Sequence, residues 1–158
     1  MNLSNSTARL ISQVVRVSYA LGRRFSKNRT GARIAHMSLT ILHVEDDPLV
    51  ADSVKEMLEA QGWRVISCVN GGAAMREFLN QTPFDLLITD NRLPDISGAA
   101  LVGYVRQHLK ERSTVPIIMF SGDDDAGSAY FAGVNMFLKK PAEGALLVST
   151  IERLLQGA

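Results

Sequence analysis

Beyond residue 38 the chain alternates between short, unbroken apolar runs and longer segments whose apolar residues recur at helical spacing. The runs lie near 39–44, 64–68, 85–89, 115–120 and 135–138. Runs this short with no polar face predict strands covered on both sides, as in a parallel sheet whose crossovers are helices. The first helix is expected to open at Asp47-Pro48, an acidic cap followed by proline, to turn Val50, Val54, Met57 and Leu58 inward and to end at Gly62. A second follows Gly71-Gly72 with Ala74 and Phe78. A third is capped by Ser97 and carries Leu101, Val105 and Leu109, and the last runs from about Glu143 to Leu155 with Leu147, Ile151 and Leu154 on one face.

Four of the five runs lead into polar residues of a particular kind: Glu45-Asp46, Asp90, Ser121 and Lys140. If the runs are parallel strands, these groups emerge at one edge of one sheet, where open α/β sheets bind ligands. Asp90 would sit on rigid backbone yet reach solvent, which suits a carboxylate that attacks phosphorus; its ordinary alternative is a turn or cap aspartate in the Leu93-to-Gly98 loop. Glu45 and Asp46 beside Asp90 make a crowd of carboxylates that must protonate or recruit a divalent cation, and Mg²⁺ matches hard oxygen ligands and phosphate. Asp47 is left as the helix cap. Ser121 and Lys140, ordinary loop residues when taken singly, would meet the charge on a transferring phosphoryl group.

Composition narrows the field. At 158 residues and 46% apolar content the chain can bury one core. It has no stretch approaching the ~18 continuous apolar residues of a spanning helix. The single Cys68 falls within a strand and reads as a small buried apolar residue, in keeping with a reducing, cytoplasmic setting. The net charge of +1 conceals a division: residues 1–38 hold seven Lys or Arg and no acid, while residues 39–158 hold ten Lys or Arg and all sixteen acids. An acidic body argues against nucleic acid as its main partner. Leu10, Val14, Val17 and Leu21 would share one face of a basic helix. Such a segment suits an anionic membrane surface or an organellar transit peptide; the preferred reading takes residues 1–37 as a disordered or untranslated extension with Met37 as the start.

Together, Ile41-Leu42-His43-Val44-Glu45-Asp46-Asp47, Asp85-Leu86-Leu87-Ile88-Thr89-Asp90 through Leu93-Pro94-Asp95-Ile96-Ser97-Gly98, Phe120-Ser121-Gly122 and Phe137-Leu138-Lys139-Lys140-Pro141 closely resemble the receiver domain of two-component response regulators. The resemblance covers about Ser38 to Leu155, placing the domain at 38–158. It implies an α/β fold of flavodoxin-like type, a doubly wound five-stranded parallel sheet in order 2-1-3-4-5 flanked by five helices. It further implies phosphorylation on Asp90, Mg²⁺ held by Glu45, Asp46, Asp90 and the backbone carbonyl of Arg92, and catalytic roles for Ser121 and Lys140. Lys139 is then a surface charge and the Lys140-Pro141 bond commonly cis. Ser121 and Phe137 match the positions that switch on phosphorylation. The spacing between Ser121 and Lys140 is about three residues shorter than is usual in the family, roughly one helical turn. A short fourth helix is therefore expected, at about Asp125 to Ala132, on a face that often binds partners. Leu93 stands where methionine is frequent, a swap of little consequence.

The expected function is that of a stand-alone regulator. Asp90 takes phosphate from a sensor histidine kinase or histidine phosphotransfer protein, and output passes to a downstream target protein without direct DNA binding or turnover of an external substrate. Arg92 and Asp123 would pair at the pocket mouth and slow loss of the phosphate. Two alternatives differ in class. An aspartyl-phosphate phosphatase of haloacid-dehalogenase type would need a second Asp where Arg92 stands, and a phosphate-independent interaction module would have shed the site residues that this chain keeps.

Overall fold

The computed structural model describes residues 39–109, 112–122, 124 and 126–156. The basic extension at 1–37, Ser38, Asp123 and Asp125 therefore lie outside the described residues. Strands β1 (Thr40–Val44), β2 (Arg64–Cys68), β3 (Leu86–Thr89), β4 (Ile117–Ser121) and β5 (Met136–Lys139) alternate with helices α1 (Pro48–Glu59), α2 (Gly71–Leu79), α3 (Gly98–His108), α4 (Ala126–Ala132) and α5 (Gly144–Gln156). All strand pairs are parallel and the order is β2-β1-β3-β4-β5. This is the expected flavodoxin-like fold.

Alternation along each strand sends neighbouring side chains to opposite faces, and helices cover both. Leu42, Val44, Leu87 and Met119 pack with Ala74 and Phe78 of α2, Leu101, Val102 and Val105 of α3, and Ala129 of α4. Ile41, Leu86, Ile88, Ile118 and Phe120 pack instead with Val54, Met57 and Leu58 of α1 and Leu147 and Ile151 of α5. Cys68 is buried in the first cluster, as its structural reading required. The chain's path reverses between β1 and β3, so their C-terminal ends flank the crevice where such sheets take ligands.

Local chemistry sets the helix ends. Asp47 Oδ1 accepts from the Leu49 and Val50 amides at 2.9 and 3.3 Å, and Ser97 Oγ accepts from Ala100 N at 3.1 Å. Asn70, to which the sequence analysis gave no role, caps α2 with its side chain, which accepts from Ala73 N at 2.8 Å. α1 stops at Glu59 and the chain turns through Gly62 at φ +84°. Leu109 follows the end of α3, with its amide bonded to Val105 O at 3.2 Å. β4 begins only after Pro116, which has no amide to donate, and it extends to include Ser121.

One contact joins fold to site. A Cβ at Gly98, the first residue of α3, would collide with the Asp90 carbonyl oxygen and stand 2.9 Å from Asn91 Cα. Both are backbone atoms that cannot swing aside. Gly98→Ala gains helix propensity of about 1 kcal/mol, yet it is expected to lose about 2–3 kcal/mol net to this overpacking. Denaturant unfolding of the two proteins measures the difference; a variant as stable as the parent would show that the loop yields.

Candidate functional site

Three of the four site segments are held by backbone bonds that carry the sheet ladder one residue past the strands, and the fourth lies at Ser121, the last residue of β4. Glu45 N donates to Cys68 O at 2.9 Å, Asp90 N to Val44 O at 3.0 Å and Lys140 N to Ser121 O at 2.8 Å. Two side chains projecting from this edge meet at Asp90, and one of them also reaches Glu45. Ser121 Oγ donates to Asp90 Oδ1 at 2.7 Å, and Lys140 Nζ donates to Asp90 Oδ2 at 2.6 Å and to Glu45 Oε2 at 2.5 Å. The Arg92 amide also donates to Asp90 Oδ1, at 3.1 Å. Lys140 reaches inward over the Phe120 ring, 5.4 Å from its centroid, and the Lys140-Pro141 bond is cis. Lys139 points away and pairs with Asp124 at the surface.

Glu45, Asp46 and Asp90 each offer a carboxylate oxygen within 4.8 Å of the others. They are not equivalent: Glu45 is buried and tied to Lys140, whereas Asp46 is exposed. Burial pushes the Glu45 carboxyl above its ordinary range against the opposing pull of Lys140. Burial also raises Asp90, but the bonds from Lys140, Ser121 and the Arg92 amide outweigh it and hold the carboxyl below its usual range. A cluster of hard oxygens, one member of which already prefers the charged form, suits a divalent cation such as Mg²⁺.

The structure thus brings together Glu45, Asp46, Asp90, the Arg92 backbone, Ser121 and Lys140. The pairing of Arg92 with Asp123 falls outside the described residues. The Ser121 hydroxyl already faces Asp90 without phosphate, so any inward movement starts from a bonded position. Phe137 is half-buried against the cluster containing Met119, Ala129 and Val134, and its amide donates to the Tyr130 hydroxyl at 3.3 Å.

The sequence reading gave His43 no role. It occupies the middle of β1, between Ser67 of β2 and Ile88 of β3, on the side of the sheet that also carries Ile41. It is buried, and among the described residues Nδ1 has no hydrogen-bond partner. A polar residue inside an otherwise apolar strand, two positions before Glu45, was the available signal.

Comparison with known proteins agrees with this geometry. The model of the response regulator receiver domain matches residues 41–152. The transcriptional regulatory protein CseB of Streptomyces coelicolor is 30% identical over 119 residues, covering 73% of this chain and 49% of CseB. The chain thus spans about half the length of that relative. A putative response regulator from Chloroflexus aurantiacus superposes with a TM-score of 0.69 at 34% identity, covering 75% of this chain and 98% of that one. The response regulator TrrA of Thermotoga maritima, solved in complex with Mg²⁺ and a beryllium fluoride, does so with a TM-score of 0.65 at 25% identity, covering 73% and 98%. Phosphoacceptor domains of two-component signalling are the class that this fold and pocket define. The chain belongs to the response regulator receiver family.

His43 yields a pH prediction. Burial, reinforced by the Lys140 charge and opposed by Asp90, pushes its imidazole from the ordinary 6.5 to about 3. The unfolded chain takes up this proton below pH 6.5 while the folded one stays neutral until about 3, so stability drains away as pH falls through that window. In metal-free buffer, His43→Val is expected to match the parent near pH 8 and to lose less stability at pH 4.5. Parallel acid-unfolding curves would place the pH dependence elsewhere.

Proposed function

We propose that this domain accepts a phosphoryl group on Asp90 from the phosphohistidine of a sensor histidine kinase or histidine phosphotransfer protein. The convergence of Ser121 and Lys140, from two other strands, on the Asp90 carboxylate carries the reading. An Asp90 oxygen attacks phosphorus, the O–P bond forms as the P–N bond breaks, and the imidazole leaves with the electron pair. Ser121 donates to one phosphoryl oxygen, and Lys140 shifts from Asp90 to another. When bound, Mg²⁺ supplies charge neutralisation at the phosphoryl oxygens. Asp46, Asp90 and the Arg92 carbonyl would hold it, with Glu45 acting partly through water. The domain binds and orients the phosphodonor but turns over no other substrate.

Output goes to a partner protein, either by onward transfer of the phosphate or by docking of the phosphorylated form. Support for docking comes from the region around Phe137: α4 presents Phe131 at 96% exposure and Tyr130 at 50%, and α5 presents Leu146 at 49%. Phe137 is half-buried against the core cluster beside these residues, and we assign it as the side chain that responds to phosphate. The acidic charge of the body is a poor match for nucleic acid. Among the described residues no helix is long and apolar enough to cross a membrane.

Incubation with acetyl phosphate and Mg²⁺, followed by intact-mass measurement, tests the acceptor. The parent gains one phosphoryl mass and Asp90→Asn gains none while remaining folded; an undiminished adduct in the variant would remove Asp90 from the role. In calorimetric titration, Asp46→Ala is expected to weaken Mg²⁺ binding more than Glu45→Ala, because the Glu45 charge is already committed to Lys140.

Readout is tested at Phe137. Phe137→Ala is expected to leave phosphorylation of Asp90 nearly unchanged while flattening the dependence of partner binding on phosphate. A Phe137 ring that keeps one NMR environment with and without a beryllofluoride mimic would exclude it as the switch.

A further inference from the structure

Outside the pocket, one carboxylate makes bonds that the phosphoacceptor chemistry does not use. Asp95 lies in the loop between β3 and α3. Its Oδ1 accepts from Gly71 N at 3.0 Å and Ile96 N at 2.9 Å, and its Oδ2 accepts from Gly72 N at 2.6 Å. The first two amides of α2, a nine-residue helix, therefore end on a side chain from the acceptor loop. The helix's own cap, Asn70, serves Ala73 instead.

The two glycines are fitted to this contact. A Cβ at Gly71 would collide with the Ile96 side chain, and one at Gly72 would come within 3.1 Å of Asp95 Oδ2. A carboxylate on paired amides at a helix N-terminus gains from charge-assisted hydrogen bonding and from the helix dipole. These bonds hold the Asp95 carboxyl below its usual range, the Gly72 amide contributing most.

The other end of the loop is anchored to α3. Asn91 O accepts from Gly98 N at 2.8 Å, and Asn91 Oδ1 accepts from Ala99 N at 3.2 Å. Arg92 lies between the two anchors, with its amide on Asp90 Oδ1. The Arg92 peptide groups therefore lie on the stretch of loop held between the Asn91 and Asp95 anchors.

We propose that Asp95 is a positioning residue for the phosphoacceptor site: it fastens the acceptor loop to the N-terminus of α2 and so fixes the Arg92 backbone beside Asp90. This rests on the phosphoacceptor reading, in which the Arg92 carbonyl is a metal ligand. Groups that orient a ligand from outside its coordination shell typically govern affinity by about 10–100-fold.

The test compares the parent, Asp95→Ala, Asp95→Asn and Gly72→Ala. Without metal, amide hydrogen exchange across Asn91–Ser97 is expected to quicken in Asp95→Ala while β1 and β3 keep their protection. Mg²⁺ affinity is expected to fall by about 10-fold, with the rate of adduct formation recovering at saturating Mg²⁺ because Asp90, Ser121 and Lys140 are held by the sheet ladder at the strand ends. Asp95→Asn, which keeps a neutral acceptor, should fall between, and Gly72→Ala should reproduce the effect from the other side. If Asp95→Ala does not fold, the latter two decide. Faster exchange with parental Mg²⁺ affinity and kinetics would overturn the proposal and leave a structural clamp only. Failure of the parent itself to form an adduct would count against the phosphoacceptor reading, while the exchange result would still report on the clamp.

Discussion

The Lys140 ammonium holds this site together. Without it, Glu45 and Asp90 would face each other with no positive side chain between them and only neutral donors to offset their repulsion. At 2.5 and 2.6 Å from the two carboxylates, its gross attraction to each is on the order of 6 kcal/mol for an effective dielectric near 20. Removing three charged groups from water costs several kcal/mol apiece. The balance is close to even, so the cluster is poorly explained as a device for stability. In the proposed function its value is chemical: a cation on a four-carbon stem that balances the acceptor carboxylate would also be within reach of an arriving phosphoryl oxygen. The raised Glu45 carboxyl and the lowered Asp90 carboxyl are two faces of this arrangement, since the ammonium is shared, but beyond it Glu45 accepts one long bond from the Asp47 amide at 3.4 Å while Asp90 accepts from both Ser121 and the Arg92 amide.

That sharing works only if the backbone under each group is fixed. Glu45, Asp90 and Lys140 follow three different strands, and each is pinned by an amide bond to the neighbouring strand or its end. The chemistry therefore rests on main-chain register, which the apolar packing on both faces of the sheet enforces. Gly98 and Asp95 extend the same logic into the loop after Asp90, where no ladder exists: one permits close approach of α3, the other reaches α2.

The legible and illegible parts of the sequence divide along physical lines. Unbroken apolar runs announced the strands because burial on both faces leaves no room for alternation, and the polar residue ending each run announced the edge. Caps such as Asp47 and Ser97 were readable because their partners lie within the next turn. Asp95 was not, because its partners belong to a helix more than twenty residues earlier in the chain. His43 was visible as an anomaly within β1, but its unpartnered Nδ1 is a property of three-dimensional packing. The bonded state of Ser121 likewise follows from the approach of β4 to β3, which no local pattern reports.

The short α4 poses a mechanical problem that the structure answers elsewhere. With seven residues, this helix offers little surface with which to brace the turn that leads into β5 and Phe137. Arg106 of α3 supplies the brace: Nε donates to Gly133 O at 2.9 Å, Nη1 donates to Ser113 O and Val115 O at 2.8 Å each, and Nη2 donates to Asn135 Oδ1 at 2.8 Å. Asn135 Oδ1 also accepts from Ile117 N at 2.8 Å, at the start of β4. The turn before Phe137 is thus fastened to α3 and to the sheet through a half-buried guanidinium whose planar fork can satisfy several carbonyls at once. α4 itself is left to make lighter contacts, such as the Tyr130 hydroxyl on the Phe137 amide. The entry to β5, and with it the backbone that leads to Lys140, is thus tied to α3 and to the start of β4 independently of α4.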